Sequence, residues 1–120
     1  MRRTLISLSL LIGLCACKTT EPLYYYGEYN QAVYSYFKSD ELSQQEQIAA
    51  LNQVIQKAAS KGKAVPPGVH AQLGMLYFEN GNQTLGEQHF MEEKQRFPES
   101  AQYIDFLLNA AKKGGQNETN

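Results

Sequence analysis

Tryptophan is absent from the 120 residues, histidine occurs only twice, and the two cysteines, Cys15 and Cys17, lie two positions apart near the N-terminus. If a leader is removed ahead of Cys17, one cysteine remains, which excludes a disulfide framework within the chain. A structural zinc site built on His70 and His89 would need distant carboxylates. There is no glycine-rich phosphate loop, no Gly-x-Ser-x-Gly and no His-Glu-x-x-His, so the usual local signatures of nucleotide-binding and hydrolytic enzymes are missing. No apolar run approaches the roughly 20 residues that a permanent bilayer span requires. What is present, 42% hydrophobic and 19% charged residues with eight Tyr and five Phe, fits one globular domain.

The N-terminus has the build of an export signal. Arg2 and Arg3 precede the apolar stretch from Leu5 to Leu14, about ten residues long, which ends in Cys15-Ala16-Cys17. Leu14-Cys15-Ala16-Cys17 resembles the lipobox of bacterial lipoproteins, in which Leu stands three before the Cys and a small residue just before it. The resemblance implies a signal peptide over residues 1–16, lipidation at Cys17, and a lipidated tether over residues 17–23 that contains Pro22. Cleavage before Cys15 would put bulky Leu14 where a small side chain is wanted. Two or more acyl chains anchor a protein stably where one does not. Lys18, rather than Asp, follows the cysteine, which in two-membrane bacteria favours the outer membrane, facing the periplasm, over the inner membrane. With Arg2 and Arg3 removed, nine basic and twelve acidic side chains remain, net −3, which argues against nucleic acid as a partner.

The body reads as all-α. Tyr24, Tyr25, Tyr26, Tyr29, Tyr34, Tyr36 and Phe37 crowd the start, and the spacing predicts a helix over 28–38 with Tyr29, Val33 and Tyr36 or Phe37 on its inner stripe. Ser43 and Glu46 form a capping box for a second helix over 44–61, which carries Ile48, Leu51, Val54, Ile55 and Ala58 and stops at Gly62. After Pro66-Pro67 a third helix places Val69, Leu73, Leu76 and Tyr77 inward until Asn80-Gly81 turns the chain. Thr84 and Glu87 suggest a second capping box for a fourth helix that ends near Pro98. A fifth helix carries Ala101, Ile104, Leu107, Leu108 and Ala111, with Lys112 and Lys113 before Gly114. The expected organisation is a helical domain over 24–113 and a disordered tail over 114–120.

Residues 67–100 can be laid on the 34-residue tetratricopeptide pattern of paired antiparallel helices. Leu73 and Gly74 take its Leu-Gly places, Tyr77 its aromatic place, Gly81 its turn, Gly86 its small place, Phe90 its large one and Pro98 its closing proline. His70 stands where Trp is usual and Glu93 where Ala is usual. The first two helices make a degenerate first repeat, and the fifth a C-terminal capping helix.

Leu23-Tyr24-Tyr25-Tyr26-Gly27-Glu28-Tyr29, Tyr34-Ser35-Tyr36, Lys61-Gly62-Lys63-Ala64-Val65-Pro66-Pro67-Gly68 and Phe97-Pro98-Glu99-Ser100 together resemble the small lipoproteins of the domain-of-unknown-function 4810 family. That family often has Trp where Tyr26 stands. Its members are usually encoded beside a curli-pore-like lipoprotein and a third small lipoprotein, so the resemblance implies a shared envelope complex and no particular activity.

His70 and His89 each read as a helix-face residue, and the pairs Asp40-Glu41 and Glu92-Glu93 as solvated surface, since adjacent helical side chains diverge by about 100°. No catalytic residue, cofactor or metal is expected, and the chain is not expected to be an enzyme. Tyr24, Tyr25 and Tyr26, close behind the lipid, form the candidate interaction surface, because Tyr joins a large ring to a polar tip. The expected function is an outer-membrane-anchored helical module that binds another envelope protein. The alternative is a structural lipoprotein of envelope maintenance without a dedicated partner.

Overall fold

A computed structural model describes residues 21–27, 29–38 and 42–117, and of 35–37, 116 and 117 the backbone alone. The expected signal, Cys17, the inward assignment of Tyr36 or Phe37, the pair Asp40-Glu41 and residues 118–120 lie outside what is described. The architecture is all-α: α1 (Tyr29–Lys38), α2 (Gln44–Ser60), α3 (Val69–Glu79), α4 (Gln83–Arg96), a 3-10 turn (Pro98–Ser100) and α5 (Ala101–Asn117). Among the described residues there is no strand, and a single parallel bridge pairs Tyr24 with Ala64.

Local chemistry accounts for most of the helix ends. The Ser43 hydroxyl accepts from the Glu46 backbone N–H while the Glu46 carboxylate accepts from the Ser43 N–H, closing the expected capping box. Gly62 N–H donates to Ala59 O and Lys63 N–H to Ala58 O, the paired bonds of a Schellman stop. The same pair recurs after α3, where Gly81 N–H reaches Phe78 O and Asn82 N–H reaches Tyr77 O. Gly81 adopts φ 78°, and a Cβ there would meet nothing within 4 Å, so only backbone strain opposes a side chain. Gly81→Ala is expected to cost about 1–2 kcal/mol in chemical denaturation, the ordinary penalty of an L-residue in the left-handed region. An unchanged midpoint would show that the turn rearranges.

Two helix ends differ from expectation. α4 is capped by Asn82, whose side chain accepts from Leu85 N–H at 3.2 Å, not by a Thr84–Glu87 box. Once α3 stops before Gly81, Asn82 is the first residue able to cap. Thr84 falls inside the first turn, and Glu87 pairs instead with Lys112 at 3.0 Å. α5 runs through Gly114 and Gly115 to Asn117, past the stop expected at Gly114. Glycine disfavours a helix interior by about 1 kcal/mol without forbidding it, and Gly115 lies against the Gln83 side chain, where a Cβ would sit 3.0 Å from Nε2.

The helices stack in chain order, each packing mainly on its neighbours, with α5 against both α3 and α4. The central helix α3, Val-His-Ala-Gln-Leu-Gly-Met-Leu-Tyr-Phe-Glu, is apolar nearly all round, the pattern of a helix covered on more than one side. Val69, Leu73 and Leu76 join Ala32, Ile48, Leu51, Val54, Ala58 and Val65 in a first core. Ala71, with Met75 and Phe78 beside it, joins Phe90 and Ile104 in a second. α3 thereby ties the two cores together.

Candidate functional site

The contact between α3 and α4 depends on two missing side chains. A Cβ on Gly74 would fall 2.5 Å from Phe90 Cδ1, and one on Gly86 would fall 2.4 Å from Phe78 Cδ2 and 3.1 Å from Gly74 O. The backbones approach at these points, and the Phe78 and Phe90 rings, stacked with centroids 5.6 Å apart, fill the flanks. Leu73 and Phe90 are fully buried, Tyr77 is half-buried, Gly81 makes the turn, and Pro98 opens the 3-10 turn at the surface.

A seam of polar groups crosses this stack. Asn52 on α2 donates to Ile48 O at 3.0 Å and to the Tyr77 hydroxyl at 3.4 Å. The Tyr77 ring lies parallel to His89 at 5.3 Å, and His89 lies over His70 at 5.2 Å. His70 Nδ1 and His89 Nδ1 are 2.9 Å apart, a distance that requires one nitrogen to donate and the other to accept. The two histidines, each expected on a helix face, do lie on facing helices, and there they form a pair that the sequence did not predict, with His70 5% exposed. His70 Nε2 is buried with no partner, which favours the tautomer in which His70 donates through Nδ1 and leaves Nε2 as a bare acceptor, because an orphaned N–H is the rarer and costlier case.

Burial, followed by the neighbouring His89 and Arg96, pushes the His70 pKa down from 6.5 to about 4, and burial also lowers that of His89. A histidine whose folded pKa lies below its unfolded value binds fewer protons when folded. Its stabilising contribution is complete above pH 6.5 and is lost as the pH falls from 6.5 towards 4. For His70 the loss is on the order of 3 kcal/mol. Glu93, shifted upward, acts in the opposite sense above pH 4.5. Denaturation midpoints measured from pH 7.5 to 4.5 are expected to fall steeply in the native sequence and less in His70→Phe. Equal slopes would contradict the burial of a neutral His70.

At the far end of the seam stands Glu93, 3% exposed. This overturns its reading as solvated surface. α3 starts at Gly68, which adopts φ 95° and offers no side chain to cap the helix. Glu93 supplies the acceptor from α4: its Oε1 takes the Gly68 N–H at 2.6 Å and its Oε2 the Ala71 N–H at 3.3 Å. Burial raises the Glu93 pKa, opposed by the backbone donors of Gly68, Ala71 and His70 and by Arg96. Tyr29 closes the corner, its hydroxyl donating to Pro67 O at 3.3 Å and its own pKa raised by burial and by Glu93. A Cβ on Gly68 would lie 2.5 Å from that hydroxyl. Sequence reasoning missed this site, although an uncapped helix after Pro-Pro-Gly signals a need for an acceptor from elsewhere.

The tyrosine run is divided by the fold. Leu23 O accepts from Ala64 N–H at 3.1 Å and Tyr25 N–H donates to Ala64 O at 3.0 Å, pinning the segment to the α2–α3 connection. Tyr25 packs on the first core beneath Lys61 Nζ, 4.9 Å from its centroid. Tyr24 lies 6.2 Å from the Phe97 ring. Of the three, only Tyr26 is exposed, at 43%. On α5, Tyr103 and Phe106 point outward, 60% and 66% exposed, while Ile104 is buried. Among the described residues no group of three or more His, Cys, Asp or Glu is placed to hold a metal, and no helix is long and apolar enough to cross a membrane.

These features define an all-α protein of sequentially stacked helices, closed by paired glycines and an internally capped central helix. The family model described as Domain of unknown function (DUF4810) matches residues 23–107, and the chain belongs to that family. No curated protein and no solved structure gives a significant match.

Proposed function

We propose that the protein is a lipid-anchored envelope lipoprotein, held in the outer membrane through Cys17, whose helices form a tetratricopeptide-like module that docks another envelope protein. The close α3–α4 contact at Gly74 and Gly86, with Leu73, Tyr77, Gly81, Phe90 and Pro98 at repeat positions, supports the repeat reading. The lipobox-like Leu14-Cys15-Ala16-Cys17 supports the anchor. The observation that carries the docking role is the outer face of α5. There the stack ends on Tyr103 and Phe106, two large rings left in solvent on the helix that should close it. A terminal helix serving only as a cap presents polar residues outward.

In this reading the chain catalyses nothing, and its partner is a second envelope lipoprotein, such as the curli-pore-like one that the family resemblance implies. A photo-activated cross-linker placed at Phe106 in cells is expected to capture that lipoprotein, and one placed at Asn80 is not. Recovery of the protein without an adduct from either position would sink the docking role.

A further inference from the structure

The chain between the proposed lipid and the folded body is short and ends at a fixed point. Five residues separate Cys17 from Leu23, so the six Cα steps reach at most about 22 Å when extended. Leu23 is already tied down, because its carbonyl accepts from Ala64 and the next two residues pair with the same loop. A bilayer holding the acyl chains therefore lies within that reach of the pole formed by Leu23, Tyr26 and the Lys61–Ala64 turn.

The chemistry of that pole suits a headgroup layer. Leu23, 70% exposed, and Tyr26 are large apolar groups on the surface where the tether joins. Tyr is favoured at membrane interfaces because its ring is apolar and its tip is wet. Lys61 is exposed and rests over the Tyr25 ring, with Lys63 half-buried two residues on. Such cations on a surface close to anionic lipid add attraction. Glu21 and Glu28, each two residues from Leu23 or Tyr26, are the acids nearest in sequence.

The other pole is different. There Gln44 donates to Glu79 at 2.9 Å, Gln45 donates to Asn80 at 3.1 Å, and the exposed Glu46 completes the capping box. α2, at 17 residues, separates the two poles by about 25 Å.

Resting on the lipoprotein reading, we infer that the Leu23, Tyr26 and Lys61 pole lies on the bilayer, with both apolar side chains in the headgroup region and Lys61 against anionic lipid phosphates. The Glu46 and Glu79 pole points away, and α5 stands free beside the membrane for a partner.

The test uses the full lipidated chain, purified from membranes and reconstituted in vesicles of phosphatidylethanolamine and phosphatidylglycerol. Single cysteines at Tyr26→Cys and Asn80→Cys carry a fluorophore, and headgroup spin-labelled lipid is the quencher. Quenching at position 26 is expected to be severalfold that at position 80, and to fall when Lys61→Glu is added. Equal quenching at the two positions on a chain whose mass shows lipid at Cys17 overturns the orientation alone. A mass showing no lipid overturns the lipoprotein reading and this inference with it.

Discussion

Phe90→Ala is expected to remove about 3–5 kcal/mol of stability, the cost of deleting a fully buried ring whose site cannot collapse. The ring is wedged between Gly74, Phe78 and the second core, so truncation opens a void at the point where α3 meets α4. A domain of this size has a total of about 5–15 kcal/mol, so the variant sits near its unfolding limit at 37 °C. Gly74→Ala fails for the opposite reason, since its Cβ would overlap the same ring, at an expected cost of about 1–3 kcal/mol. The two effects must therefore couple. In a Phe90→Leu background, whose side chain lacks the ring edge, Gly74→Ala is expected to cost much less than in the native sequence. Urea denaturation of the four proteins in the cycle measures this, and strict additivity would contradict the close approach.

Glu93→Ala is the second large effect. It leaves the Gly68 and Ala71 N–H groups without acceptors in a buried setting, and each unsatisfied donor costs about 1–3 kcal/mol. The expected loss is about 2–4 kcal/mol in total, reduced because the mutation also relieves the burial of a carboxylate. Glu93→Gln keeps one carbonyl oxygen and turns an amide towards the second donor, so it should fall between the alanine variant and the native chain. Amide hydrogen exchange at Gly68 and Ala71 should accelerate in Glu93→Ala ahead of the rest of α3. If stability stays within about 0.5 kcal/mol of native, as for surface changes remote from such features, and exchange is unchanged, Glu93 does not cap the helix.

Features that depend on a few neighbouring residues were legible in the sequence. The Ser43–Glu46 box, the Gly62 and Gly81 stops and the inward faces of α2 and α3 each rest on local rules, and the structure has them where the spacing puts them. α4 starts two residues ahead of where Thr84 and Glu87 predict, because the cap those residues could form is already made by Asn82. α5 runs past Gly114, where the sequence predicts a stop, because glycine weakens a helix without terminating it. Glu93 and the His70–His89 pair were illegible for a different reason. Their meaning lies in contacts across 25 and 19 residues, which exist only once α3 and α4 are side by side. The residues of the seam depart from the repeat pattern at the same positions, His70 and Glu93, and each departure is matched by a partner on the facing helix.

The intact mass of the native chain, extracted from membranes with detergent, tests most directly whether this helical body is a lipid-anchored module. The expected species begins at Cys17 and carries a thioether-linked diacylglycerol, with or without a further acyl chain on its amino group. A species that retains residues 1–16, or that begins at Cys17 with a free thiol, contradicts the anchor.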